Sequence, residues 1–328
     1  MNGAVWPRSL ALGQFQTALP QFVPAVSSVK TDTPVADIVD LLVDAEIPSF
    51  LVSAYDFIRA HPDDQLRLAS LLSVAHSRGA MVVLDSGRYE SYWLRDRSWT
   101  RADFFAALER IRPTLVFSYD AFAADGGDAD AVAKAVAART AEDQRVADPA
   151  LVVPIVHATS SALPHAVCLV ADRLAAPLVA VAERDLGSGI RARAATVRRI
   201  RRSLSEAGLA TAIHVLGTGN PLSILAFASA GADSFDGLEW SQTAFDHDSA
   251  HLYHLHHYDL FVGQTGLQDV EAPYRAKVML HNLVFMRGWM GRVREDATST
   301  DHLLLRELLE GGKGGSVTVE QLVGDHDD

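Results

Sequence analysis

Eight short apolar runs recur about a helix apart, at 22–28, 49–54, 81–85, 115–120, 151–157, 178–183, 211–216 and 233–236. Most are nearly continuous and β-branched rather than alternating, the pattern of strands buried on both faces. Helical patterns lie between them, for example over 33–45, 64–78, 101–112, 129–142 and 190–207. Thr33-Pro34 and Asn220-Pro221 are good helix starts, and Gly208 and Gly231 sit where helices should end. Eight strands alternating with helices over about 240 residues predict an α/β fold, a closed (β/α)8 TIM barrel across residues 1–240. An open doubly wound sheet is the competing architecture. Its dinucleotide-binding version is weak, because no GxGxxG follows the first run.

Composition narrows the class. No apolar stretch among the 328 residues reaches the roughly 18 needed to span a bilayer, and the N-terminus shows no signal-peptide pattern. The single cysteine, Cys168, excludes an internal disulfide and a thiolate zinc cluster, and it fits a reducing cytoplasm. A net charge of −12 argues against holding nucleic acid by bulk electrostatics. One helix runs the other way: Arg191, Arg193, Arg198, Arg199, Arg201 and Arg202 form either a solvated face or a phosphate-facing patch. Beyond Trp240 come a His-rich stretch and helical patterns over 272–292 and 300–309. These predict a helical appendage over 241–310 packed on the barrel, then a flexible acidic tail over 311–328.

In a barrel of this kind, functional residues gather where the strands finish. The strand-terminal polar residues are Asp85, Asp120, His157, Glu183, Gly217 with Gly219, and Asp236. A single such Asp is ordinarily a cap or turn residue. Three, ending three apolar strands within reach of one ligand, point to chemistry. Two carboxyl groups in one pocket perturb each other, so that one keeps a proton at neutral pH and the other stays ionised. Breaking a glycosidic bond needs that division: one group attacks or stabilises C1′, the other handles the proton of the leaving group. Gly217-Thr218-Gly219 either lets backbone approach a ligand closely or forms a plain tight turn.

These segments also resemble a known family. Asp85-Ser86-Gly87-Arg88-Tyr89-Glu90 is similar to the DSGG(F/Y)Q motif of tRNA-guanine transglycosylases. His214 to Pro221 is similar to their strand-seven segment, and Gly231 to Asp236 to the G-(V/I)-D-M-F-D segment that bears the nucleophile. The run from Phe22 to Lys30 resembles the first strand, and His281-Asn282 an HN element near the C-terminus. The likeness runs in order from about residue 20 to 295. It implies a base exchange in which Asp236 is the nucleophile and Asp85 the general acid/base. It further implies that Asp120 reads the Watson–Crick edge of the purine and Tyr89 stacks on it. Ser86 and the backbone around Ala182 and Glu183 would add hydrogen bonds. A flat slot, a stacking ring and acceptors facing N–H groups are what any purine requires.

The departures are informative. The stretch after the nucleophile that reads tRNA in the family is here Gly237-Leu238-Glu239-Trp240-Ser241-Gln242. His157 stands where the family has a base-contacting glutamine, and Arg88 where it has the second glycine of the motif. Polynucleotide and base-edge contacts thus differ more than the bond-breaking carboxylates. The family's zinc cysteines are absent, yet His254, His256, Asp259 and His281 reproduce the ligand spacing in nitrogen and oxygen donors and are candidates for a structural Zn2+. The expected activity is a transfer of 7-deazaguanine into nucleic acid in exchange for guanine, with DNA favoured slightly over tRNA. Arg88, Trp93, Trp240 and the arginine-rich helix are candidates for contacts outside the pocket. Standard tRNA exchange, glycosyl exchange or hydrolysis on free nucleosides, and a non-catalytic subunit paired with an active paralogue stay open, as does homodimerisation. A metal-dependent barrel hydrolase is a further alternative, but it would need its metal at the rim.

Overall fold

The structure, a computed structural model, describes residues 7–12, 15–120, 128–299, 302, 304 and 305. Every apolar run forms a strand. They are β1 (Gln21–Val26), β2 (Ser49–Ser53), β3 (Met81–Asp85), β4 (Leu115–Phe117), β5 (Leu151–Val153 continued by Ile155–Val156), β6 (Leu178–Ala182), β7 (Ala212–Leu216) and β8 (Ser234–Gly237). All pair in parallel, each with its sequence neighbours, and β8 pairs with β1. The run expected as one strand over 151–157 is broken at Pro154, which has no N–H for a ladder. Its first piece pairs with β4 and its second with β6, so this segment closes the ring. Ser118 covers the break. Its N–H donates to the Val153 carbonyl at 2.9 Å, and its Oγ accepts from the Ile155 N–H at 3.0 Å.

The helices of the outer ring are α1 (Val35–Asp44), α2 (Pro62–Ser77), α3 (Arg101–Ile111), α4 (Ala129–Ala147), α5 (Leu163–Leu174), α6 (Gly189–Glu206), α7 (Pro221–Ser229) and α8 (Tyr274–Thr298). Local chemistry sets their ends. Asn220 Oδ1 accepts from the N–H groups of Leu222 and Ser223 at the start of α7, with Pro221 in the first turn. Thr100 and Asp103 cap α3 reciprocally.

Strand parity explains both the fold and the site. Val23, Ala25, Leu51, Val83, Phe117, Ile155 and Ala180 fill the barrel interior. Their neighbours Val26, Phe50, Val82, Val116, Val156 and Val181 pack under the helices. Because side chains alternate along a strand, the inward series continues at the C-terminal rim as Ser53, Asp85 and His157. At the opposite end an unpredicted hairpin, Ser9–Leu12 with Phe15–Ala18, brings Leu10 against the interior cluster; Leu19, just beyond it, joins the same cluster.

The expected C-terminal appendage is one long helix, α8, preceded by a small hairpin (Thr243–Phe245 with Leu252–His254). Leu283, Met286, Trp289, Met290 and Val293 of α8 join the same apolar cluster as the other helices. Asn282 clamps the connecting segment, accepting from the Phe245 N–H and donating to the carbonyls of Trp240 and Thr243. Of the helix expected over 300–309 only residues 302, 304 and 305 are described, and the tail over 311–328 lies outside the described residues. Among the described residues, no helix is long and apolar enough to cross a membrane.

The arginine-rich helix is α6, and one of its arginines is a core residue. Arg201 is 6% exposed and pairs with the fully buried Asp233. It also donates to the carbonyls of Gly231 and Thr211, each at 3.0 Å. Removing one member of such a pair leaves a buried charge uncompensated, at a cost of about 3–5 kcal/mol. Arg201→Ala should therefore lower unfolding stability by about that much in denaturant titrations, whereas Arg202→Ala, on the exposed face, should stay within about 0.5 kcal/mol of the parent. Equal effects for the two would sink the assignment.

Candidate active site

β3 delivers Asp85 to the rim and then turns sharply. Asp85 Oδ2 accepts from the Gly87 N–H at 3.0 Å. Gly87 has φ +78°, and a Cβ there would lie 2.6 Å from Tyr55, so both conformation and space demand glycine. Ser86, between them, is fully buried, and its carbonyl accepts from Trp99 Nε1 at 3.1 Å. Burial, then the charge of Glu90, with lesser contributions from Asp236 and Asp120, raises the Asp85 pKa to about 8 against the pull of the Gly87 N–H. At neutral pH Asp85 is a neutral acid.

β8 presents Asp236, 8% exposed, from the other side of the mouth. His214 Nε2 contacts its Oδ1 at 3.0 Å, and the Gly217 N–H donates to the same oxygen at 3.1 Å. Ser234 holds the other nitrogen of His214 at 2.9 Å. Gly217 thus serves Asp236 directly. The two rim loops touch backbone to backbone, and a Cβ on Gly237 would lie 2.4 Å from the Gly219 nitrogen. Glu239 follows, raised in pKa by burial and then by the charges of Glu183 and Asp236, against backbone hydrogen bonds that include one from Gly219. Glu183 pairs with Arg193 of α6 and accepts from Thr218 Oγ1 at 3.1 Å.

A third group spans β4 to β6. His157 Nε2 lies 3.0 Å from Asp120 and its Nδ1 2.5 Å from Asp185. Burial lowers the imidazole pKa, but the hydrogen bonds and charges of both carboxylates outweigh it and raise the value to about 9. At neutral pH His157 is an imidazolium held between Asp120 and Asp185.

Behind Asp85 sit two acids from the first turns of the rim. Glu90 accepts from Ser27 Oγ at 2.6 Å and Ser53 Oγ at 2.7 Å. Burial, then the charge of Asp56, raises it to about 7 against the serine bonds. Asp56 accepts from the N–H and Oγ of Ser28, and burial raises it to about 6 with a small push from Asp85. Sequence reasoning missed Asp56 and Asp185 and used Glu90 only as part of a motif. Asp56 follows a strand end within three residues, a signal that was present.

Asp85, Asp120 and Asp236 therefore share one mouth, joined by His157, Glu183 and Gly217. Ser86 is fully buried with its carbonyl taken by Trp99, so it does not line the mouth. Tyr89 borders it on a short helix, Arg88–Trp93, with 39% of its surface exposed. Burial and the charges of Glu90 and Glu239 hold its hydroxyl above the ordinary value, which sets it beside the acids. Trp240 does not reach a ligand: it is fully buried and donates to the Ala25 carbonyl at 2.8 Å. Arg201 and Arg193 face protein partners rather than a phosphate.

The candidate zinc ligands are not brought to one point. His281 is buried, with Nε2 2.7 Å from the Phe245 carbonyl and Nδ1 3.2 Å from Thr265 Oγ1. His254, His256 and Asp259 are exposed. Among the described residues no three His, Cys, Asp or Glu side chains form a metal-holding group. As placed, His281 is a clamp on the segment before α8. No protein-family model matches this chain, and no curated protein is significantly similar to it.

An acid whose folded pKa exceeds its unfolded value of about 3.9 releases its proton on unfolding. With Asp85 at about 8, folding stability is lost as pH rises from about 4 to about 8 and the loss then levels. Asp85→Asn should remove that loss. Its gain in Tm over the parent should grow between pH 4 and pH 8 and hold steady at pH 9, read by thermal unfolding at four pH values. A gain that is the same at every pH would show that Asp85 holds no displaced proton.

Proposed function

We propose that this protein is a transglycosylase, a divergent relative of the tRNA-guanine transglycosylases, exchanging guanine for a 7-deazaguanine in nucleic acid. The supporting observation is Asp85, kept as an acid, within the electrostatic reach of Asp236, whose Oδ1 is held by His214 and Gly217. Asp236 would attack C1′ as the bond from C1′ to the base breaks, while Asp85 gives its proton to the departing guanine. The incoming 7-deazaguanine would return a proton to Asp85, and its nitrogen would attack C1′ and release Asp236. Two displacements at one carbon retain the sugar configuration, and no water is consumed.

The Asp120–His157–Asp185 trio supports base recognition. Asp120, 3.0 Å from His157 Nε2, would accept from the N–H groups of a guanine-like edge. Tyr89 would stack on the base, and the backbone after Ala182 would complete the slot. The acidic Glu239 and buried Trp240 stand where the resembled enzymes read tRNA, and this favours DNA as the polymer.

Incubation with a guanine-containing oligonucleotide and a 7-deazaguanine, followed by intact-protein mass spectrometry, should show a covalent adduct. The adduct should be absent in Asp236→Asn, and Asp85→Asn should slow exchange by about 10²- to 10⁴-fold. An adduct surviving in Asp236→Asn overturns the nucleophile. Nucleoside mass spectrometry of DNA, tRNA and free nucleosides from the same reactions identifies the acceptor.

A further inference from the structure

The segment directly after the turn at Asp85 carries a surface that, Tyr89 apart, the base exchange itself leaves unused. Tyr89, Tyr92, Trp93 and Leu94 are 39%, 66%, 49% and 51% exposed, a concentration of large apolar side chains within six consecutive residues. The Trp93 ring meets Tyr89 edge-on at 6.3 Å and Tyr92 at 5.6 Å, so the three hold one another in place. Lys30 Nζ lies 4.5 Å from the centre of the Trp93 ring. Arg95 and Arg97 are exposed just beyond.

Charge decides what this ledge suits. The protein as a whole carries −12. Two acids close by in sequence are engaged: Asp96 with Arg59 at 3.1 Å, and Asp32 with Arg275. Among the described residues, the ledge keeps the positive charges of Lys30, Arg95 and Arg97 beside flat rings. Rings stack on bases without regard to sequence, and cations beside them take the phosphates.

Building on the transglycosylase reading, we infer that the Tyr92–Trp93 ledge with Lys30, Arg95 and Arg97 binds a single-stranded polynucleotide, stacking the nucleotide next to the one whose base enters the mouth. Tyr89 joins ledge to mouth. A strand gripped here reaches the acids with its target base already unstacked, which removes part of the cost of base flipping.

The test uses the full chain, fluorescence anisotropy with guanine-containing single-stranded DNA and RNA oligonucleotides, and the adduct assay in parallel. Trp93→Ala should weaken binding about 10- to 100-fold, and Trp93→Phe should restore most of it. Reversing Arg95 and Arg97 to Glu should weaken binding and flatten its salt dependence. At saturating oligonucleotide, the yield of covalent adduct should be unchanged in Trp93→Phe and in the charge reversal. Oligonucleotide binding that is absent in the parent, or indifferent to both Trp93→Ala and the charge reversal, overturns the ledge. An adduct alongside such indifference leaves the chemistry standing. Ring-dependent binding with no adduct in the parent supports the ledge and sinks the chemistry.

Discussion

Eight carboxyl groups cannot share one barrel mouth unless some are neutral and the rest are compensated. Asp56, Asp85, Glu90, Asp120, Glu183, Asp185, Asp236 and Glu239 are linked there by hydrogen bonds or mutual charge. Like charges at this density, partly out of water, would otherwise repel strongly enough to open the rim. The arrangement of donors around them sets which acids ionise.

The mouth divides by donor type. On the side of β1 to β3 the partners are neutral: Ser27, Ser28 and Ser53, and the Gly87 N–H. Neutral donors offset burial only in part, and Asp56, Glu90 and Asp85 rise to about 6, 7 and 8. From β4 round to β6 the partners are cationic: His157 between Asp120 and Asp185, and Arg193 against Glu183. Protons are therefore stored on one side and fixed charge on the other. Asp236 stands where the two meet, held by an imidazole and a backbone N–H.

How much of this was legible follows from what each feature depends on. Strand parity and apolar continuity are local, so all eight strands and the inward Asp85, His157 and Asp236 could be read from residue order alone. The break at Pro154 is legible as well, since a proline within an apolar run cannot complete a ladder. Pairing is not local. His157 reads as a strand end, but its partner Asp185 lies in the turn after the next strand and carries no signature. The histidine spacing around 254–281 suggested a metal, because spacing is visible and burial is not. His281 proved to be turned inward to a carbonyl. Trp240 misled for the same reason, since an aromatic after a strand can serve the core or a ligand equally well.

The departures from the resembled motif fall into this division. Glu90 stands where the resembled motif has a glutamine, and it puts a titratable group beside Asp85 where that motif has a neutral amide. Its charge is the second cause of the raised Asp85 pKa, after burial. His157, where the resembled family has another glutamine, adds a cation between Asp120 and Asp185. A glutamine in place of Glu90 would leave Asp85 closer to ordinary behaviour. The two residues bring opposite charges to two carboxyls of one mouth, a negative charge that pushes Asp85 toward the acid and a cation set beside Asp120. A site that must donate a proton at one edge of a ligand and accept hydrogen bonds at another needs that separation.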